Sequence, residues 1–178
     1  MALKATIFKA QVNVADTDRN VYLDQTLTLA RHPSETDTRM MVRLLAWALR
    51  ADERLEFTKG LCADDEPEIW RHELHGDIAE WIEVGLPDER RLRRACHRAG
   101  QVTLLTYNAR AAQVWWQQYQ AELSRLDNLT IYFIDDETAA ALAAQADRNM
   151  SWQFTIADGS LWISRDDFSL QWTPERWK

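Results

Sequence analysis

Cysteine is scarce in this chain. Two residues, Cys62 and Cys96, among 178 cannot build the disulfide framework of a small secreted domain, and neither has the spacing of a zinc site or a partner that would make it a nucleophile. The five glycines form no Gly-rich phosphate loop. No apolar run approaches the ~20 residues that cross a bilayer. The opening MALKATIFKAQVNV lacks the long apolar segment of a secretory leader. A basic excess is missing too: with a formal net charge of −7, the chain does not hold nucleic acid by bulk attraction, which leaves only a local basic face for that purpose. Together these absences point to the cytoplasm, reduced thiols and no membrane association.

What is present suits a folded enzyme-sized domain. A hydrophobic content of 46% and a charged content of 28% exclude a disordered chain, and the length fits one domain over residues 1–178 with a sizeable core. The nine tryptophans are expected mostly in the core or on sheet faces.

Periodicity supplies the elements. KATIFKAQVNVAD and VYLDQTLTLARH alternate apolar and polar residues around Asp16 to Asn20 and read as two strands and a turn. PSETDTRMMVRLLAWALRAD has helical period, with Ser34 or Thr36 as its cap and Met41, Leu44, Leu45 and Ala48 on its apolar face. ERLEFTKGL reads as a short strand, followed by the acidic loop Asp64 to Glu66 and a hairpin. LPDERRLRRACHRAGQ is a helix capped by Asp88 and stopped at Gly100, with Leu92, Ala95, Cys96 and Ala99 inward. VTLLTY is a buried strand, ARAAQVWWQQYQAEL a helix, LTIYFID a strand and ETAAALAAQA a helix. SWQFTIADGSLWISR is a hairpin about Asp158-Gly159.

The hairpin EPEIWRHELHGDIAEWIEVG, residues 66–85, carries the chemical interest. With His75-Gly76 as the turn, Leu74 faces Asp77, Arg71 faces Glu80, Trp70 faces Trp81, Ile69 faces Ile82 and Glu68 faces Glu83. Opposite charges, paired aromatics and paired β-branched residues make the register self-consistent. Glu68 against Glu83 is the exception, because two carboxylates with Cβ atoms roughly 5 Å apart repel unless a cation or a shared proton lies between them. A slipped register, a wet edge where repulsion is mild, or an arginine that neutralises the pair would each dissolve the problem. A divalent cation would also do so, and Mg²⁺ is commonly held by one or two carboxylates with water and phosphate.

Several long segments, MALKATIFKAQVNVADTDRN, LARHPSETDTRMM, GLCADDEPEIW, WIEVGLPDERRLRRAC and TYNARAAQVWWQQ, resemble the YaeQ family of bacterial proteins along nearly the whole chain. The resemblance implies an α/β fold in which a mixed sheet is flanked by helices. Its core would be the αβββαβ core of the PD-(D/E)XK nuclease superfamily, with hairpins added at both ends. In such nucleases an acid on the second core strand and one on the third hold a divalent metal, and a lysine two residues on positions water and phosphate. By that resemblance Pro67-Glu68 stands for Pro-Asp and Glu83-Val84-Gly85 for (D/E)XK, so Glu68 and Glu83 would hold Mg²⁺ or Mn²⁺ and Gly85 stands where the lysine belongs. Glu35, at the start of the first helix, would be a third acid. Its alternative is a carboxylate favoured by the helix dipole and paired with Arg39. Lys59, Arg90 and Arg91 are the candidates for the missing cation.

Arg90, Arg91, Arg93, Arg94 and Arg98 with His97 make a basic strip on one helix that could meet the phosphates of nucleic acid. A solvated face balanced by Asp88 and Glu89 is the other reading. HELH, residues 72–75, lacks the spacing of a zinc protease helix. Asn108, Arg110 and Gln113 sit where a strand hands over to a helix, a common place for a site, although Asn108 also suits an N-cap. Adjacent Trp115 and Trp116 cannot face the same way, so one is expected in the core and the other at a partially exposed patch or a contact with a partner. Two functions are therefore expected to compete. One is metal-dependent phosphodiester cleavage of nucleic acid, favoured by the opposed glutamates. The other is a non-catalytic binding or regulatory protein that keeps the fold, favoured by Gly85 and the acidic net charge.

Overall fold

Alternation of apolar and polar residues accounts for the longest strands of the computed structural model, which describes residues 4–60 and 64–178. Cys62 and the end of the expected strand at Leu61 lie outside the described residues. Packing divides the chain into two compact units, Met1–Glu53 with Thr138–Pro174, and Arg54–Glu137 with Glu175–Lys178. The architecture is α/β, with two mixed sheets where one was expected, and four helices among the described residues. None of those helices is long and apolar enough to cross a membrane.

The first unit is built on β1 (Thr6–Asp16) and β2 (Val21–Arg31), paired antiparallel from Thr6↔Arg31 to Asp16↔Val21. Phe8, Ala10, Val12 and Val14 are buried while the residues between them are exposed, so one sheet face makes core and the other meets solvent. Helix α1 (Asp37–Leu49) is capped by the Thr36 hydroxyl, which accepts from the Arg39 amide at 3.1 Å. Glu35 thus precedes the helix instead of standing in its first turn. Met41, Leu44 and Leu45 of α1 meet Trp152 and Phe154 of β8 (Asn149–Ala157). Strand β8 pairs with β9 (Ser160–Arg165) through the two-residue Asp158-Gly159 turn, both residues having positive φ, as a right-twisted hairpin demands. On its other side β8 runs parallel to β1, Lys9 facing Asn149, and β10 (Phe168–Trp172) adds an edge. Neither pairing was expected from the sequence.

The second unit holds β3 (Glu56–Phe57), β4 (Ile69–His72), β5 (Ile78–Val84), α2 (Glu89–Arg98), β6 (Ala99–Thr106), α3 (Ala109–Leu123) and β7 (Leu129–Phe133), with β11 (Glu175–Arg176) on its far edge. Strands β5, β6 and β7 are parallel, each joined to the next by a helix. Trp81, Leu92, Cys96, Leu104, Trp115 and Ile131 meet in one buried cluster, which places α2 and α3 over the face of β5 that bears Trp81. Helix α4 (Asp136–Ala143) follows β7 in the chain.

The β4–β5 hairpin keeps three expected pairs, Ile69↔Ile82, Trp70↔Trp81 and Arg71↔Glu80. Its turn differs. The Glu73 amide donates to the Asp77 carbonyl at 2.8 Å and the Gly76 amide to the Glu73 carbonyl at 3.0 Å, with Gly76 at φ +102°, so Leu74, His75 and Gly76 form a three-residue loop. Leu74 is 95% exposed and does not face Asp77. A bulge then cancels the extra residue: His72 faces Ile78 while Arg71 faces Glu80, leaving Ala79 unmatched on β4. Gly100, expected to stop α2, is instead the second residue of β6 beside this bulge. A Cβ there would lie 3.2 Å from the Ala79 carbonyl oxygen, so the glycine leaves that carbonyl room.

Candidate functional site

Strand alternation points Trp81 and Glu83 to the same side of β5, under α2. There the Trp81 indole nitrogen donates to Glu83 Oε1 at 2.8 Å, and Arg91 Nε donates to the same oxygen at 2.8 Å. Asp88 sets this up, because its side chain caps α2 by accepting from the Arg91 amide at 2.8 Å and so fixes the first helical turn beside the end of β5. The Arg91 fork continues outward, with Nη1 on the Asp64 carbonyl at 2.9 Å and Nη2 on the Glu66 carbonyl at 2.7 Å. Two turns along the same helix face, Arg98 donates to the Asp65 carbonyl at 2.8 Å and lies 5.0 Å from the centre of the Trp81 ring, a cation–π distance. Three successive carbonyls of the acidic loop are therefore tied to two arginines.

Glu68 stands just before β4. Its amide donates to the Ile82 carbonyl at 3.1 Å and its carbonyl accepts from the Thr58 amide at 3.1 Å. Since Ile69 already faces Ile82, two residues of this strand share one partner, and Glu68 is not in the direct pair with Glu83 that a continuous register requires. The two acids remain electrostatic neighbours. Burial raises the Glu83 pKa above its ordinary value, opposed by the Arg91 charge and by the hydrogen bonds from Trp81 and Arg91, and the Glu68 charge adds to the rise. Gly60, at φ +58°, curls over the Glu68 carboxylate: a Cβ there would lie 3.1 Å from Oε2, so both its backbone and its lack of a side chain are used.

Glu35 belongs to the first unit. Its Oε1 accepts from Arg39 Nη1 at 3.0 Å and Arg43 Nε at 2.7 Å, and its Oε2 from Arg43 Nη2 at 2.8 Å. Arg39 is thus the partner expected for it, and Arg43 adds the two-pronged contact that planar guanidinium geometry favours. Lys59 is exposed near the end of the β3 segment, its amide 3.5 Å from Glu66 Oε2. Arg90 is exposed on α2, and Arg93 pairs with Glu89. Arg94 joins Arg91, Arg98 and Trp81 around a cleft of about 190 Å³. Gly85 adopts φ +102° and its amide donates to the Leu105 carbonyl at 2.9 Å. An L-residue is strained in that backbone, so the lysine position is closed by conformation as well as by identity.

Among the described residues no three His, Cys, Asp or Glu side chains converge as a metal cradle. His72 lies in β4 against Trp70, and exposed His75 sits in the turn beside Asp77, so HELH is not a helical ligand pair. Cys96 is buried, which pushes its thiol up to about 11, far from an activated thiolate. Trp115 is in the core, while Trp116 is partly buried and packs against Trp177 of the carboxyl-terminal tail.

Asn108 and Arg110, at the strand-to-helix junction marked in the sequence as a common place for a site, line a groove of about 550 Å³ together with Leu86, Asp88, Val114, Trp115 and Tyr119, among others, whereas Gln113 is not part of that lining. Asn108 is not a capping side chain. It holds φ 66°, ψ 82° without a cap bond, and Asp136 Oδ1 accepts from the Ala109 amide at 2.9 Å in its place.

The sequence model described as "YaeQ protein" matches residues 1–174. A relative from Escherichia coli (strain K12), "Uncharacterized protein YaeQ", is 58% identical over 178 residues, covering 100% of this chain and 98% of its own. Its namesake from Salmonella typhi is 57% identical over 97% of both chains. The crystal structure of YaeQ protein from Xanthomonas axonopodis pv. citri superposes with a TM-score of 0.94 at 42% identity, covering 98% of each chain. That of YaeQ from Pseudomonas syringae gives 0.93 at 34% identity, over 98% of this chain and 96% of that one.

Proposed function

The chain belongs to the YaeQ family, and from that premise we propose that it is a non-catalytic binding protein on a PD-(D/E)XK-like core, which meets the phosphates of nucleic acid through α2. The order α1, β3, β4, β5, α2, β6 supports the core assignment. The observation that carries the function is Arg91: its guanidinium holds Glu83 and at the same time the carbonyls of Asp64 and Glu66. An arginine bound on three sides neutralises the acid that a cleaving enzyme would turn toward Mg²⁺ or Mn²⁺. The residues present do not fit a resident divalent ion in this arrangement, because Glu83 Oε1 already accepts two hydrogen bonds and the acids are out of direct register. Gly85 supplies no cation for a transition state. Arg90 and Arg94, exposed on the same helix, remain available to phosphate.

Calorimetric titration of the wild type and Glu83→Gln with Mg²⁺ and Mn²⁺ tests the first half of this reading. The expected result is no saturable heat at millimolar metal in either protein. Saturable binding that Glu83→Gln weakens returns the site to metal-dependent phosphodiester cleavage. For the second half, fluorescence anisotropy with short single-stranded DNA and RNA should show weak binding at low salt, and Arg90→Gln with Arg94→Gln should lower the salt slope by about one for each phosphate contact removed. Absence of binding at low salt removes the nucleic-acid partner.

A further inference from the structure

The groove at the carboxyl ends of β5 and β6 has features the α2 face lacks, and they are independent of the function proposed above. Adjacent parallel strands open there into their following helices, the place where α/β sheets leave room for ligands. Its volume of about 550 Å³ is that of a small-molecule site. Two of its lining residues are aromatic and held in place: the Trp115 indole nitrogen donates to the Pro87 carbonyl at 2.6 Å, and Tyr119 packs edge-on against Trp115 at 5.9 Å. Leu86 and Val114 add apolar surface that stays 36% and 63% exposed. Single exposed apolar residues mean little, but here two flank the same cavity.

The polar groups at the rim are unevenly committed. Asp88 is occupied as the cap of α2. Arg110 makes no hydrogen bond or ion pair with another described residue, and Asn108 stands beside it in a left-handed backbone conformation with its helix-capping role taken by Asp136. An apolar lining that includes aromatic residues, with one uncommitted guanidinium and an exposed carboxamide in the same groove, is complementary to a ligand that has an apolar body and one anionic group.

The geometry points to a binding site for an aromatic carboxylate, with the ring against Val114, Leu86 and Tyr119 and the carboxylate on Arg110 and Asn108. The test uses full-length protein labelled for NMR and two probes of one shape, 1-naphthylacetate and its neutral amide, 1-naphthylacetamide. Saturable shifts of the Val114 methyl and Asn108 carboxamide signals are expected at millimolar acid. The amide should bind about tenfold more weakly, as befits the loss of a charge-assisted hydrogen bond. In Arg110→Gln, whose parent side chain is exposed, the acid should fall to the level of the amide, which itself should be unchanged. Val114→Glu should weaken both probes. Equal affinity of acid and amide in the wild type, an unchanged acid-to-amide ratio in Arg110→Gln, or shifts centred away from Asn108 and Val114 would overturn the assignment.

Discussion

Glu35 and Glu83 are both buried carboxylates beside an arginine-bearing helix, yet their surroundings resolve the cost of burial differently. Glu35 receives three hydrogen bonds from two guanidinium groups, one of them two-pronged. Glu83 receives one arginine and one indole on a single oxygen, with Glu68 close enough to act on it. The lesson is that a buried acid in this chain is not in itself a ligand. What distinguishes the two is how completely the surrounding donors use the carboxylate and whether a second acid adds to the load.

The comparison breaks most visibly at Arg43. Arg43→Met should cost about 3–5 kcal/mol, since it strips the main partner from a buried charge, and urea unfolding reads this directly. Arg91→Gln should cost less, about 2 kcal/mol, because Arg91 is partly exposed and its bonds are shared between a carboxylate and two carbonyls. Amide hydrogen exchange should then lose protection around residues 64–66 in this variant alone. If Arg43→Met proves the milder of the two, the contrast between the acids is misplaced.

Gly85→Lys sharpens the functional side of the comparison. Forcing a side chain onto φ +102° should destabilise by about 1–2 kcal/mol, with no gain of Mg²⁺-dependent cleavage of a labelled oligonucleotide. Recovery of cleavage would mean that only the lysine was missing. The smallest effect concerns pH. Because burial raises the folded-state pKa of Glu83 above its ordinary value, the native state binds that proton more tightly than the unfolded chain does, and the resulting stabilisation is present below the unfolded pKa and is lost as pH rises through the folded one. The stability of the wild type relative to Glu83→Gln should therefore decline from acid pH toward neutrality. A difference that is flat with pH, or grows, contradicts the raised pKa.

Much of the local structure was legible because its causes are local. The bounds of α3, the Asp88 cap, the β1–β2 pairing and the Asp158-Gly159 turn follow from period, cap chemistry and turn conformation within a few residues. The hairpin of β4 and β5 was half legible: side-chain complementarity gave three correct pairs, but a three-residue loop and a bulge at Ala79 offset each other in a way that residue counting does not detect. The same counting carried Glu68 into a direct pair with Glu83, where the backbone lets Glu68 and Ile69 share Ile82. For Asn108 the residue type suited a cap, and only the fold brings Asp136 to the Ala109 amide.

By itself the sequence determined which residues seek the interior and which backbone segments can be helix or strand, since burial period, capping and turn preference act over short stretches of chain. Tertiary structure decided the partners. The parallel union of β1 with β8, the arginines on Glu35 and the clamp of Arg91 on Glu83 and the acidic loop all join groups from different elements. A charge in isolation attracts any opposite charge, and only the folded backbone decides which one arrives within hydrogen-bond distance.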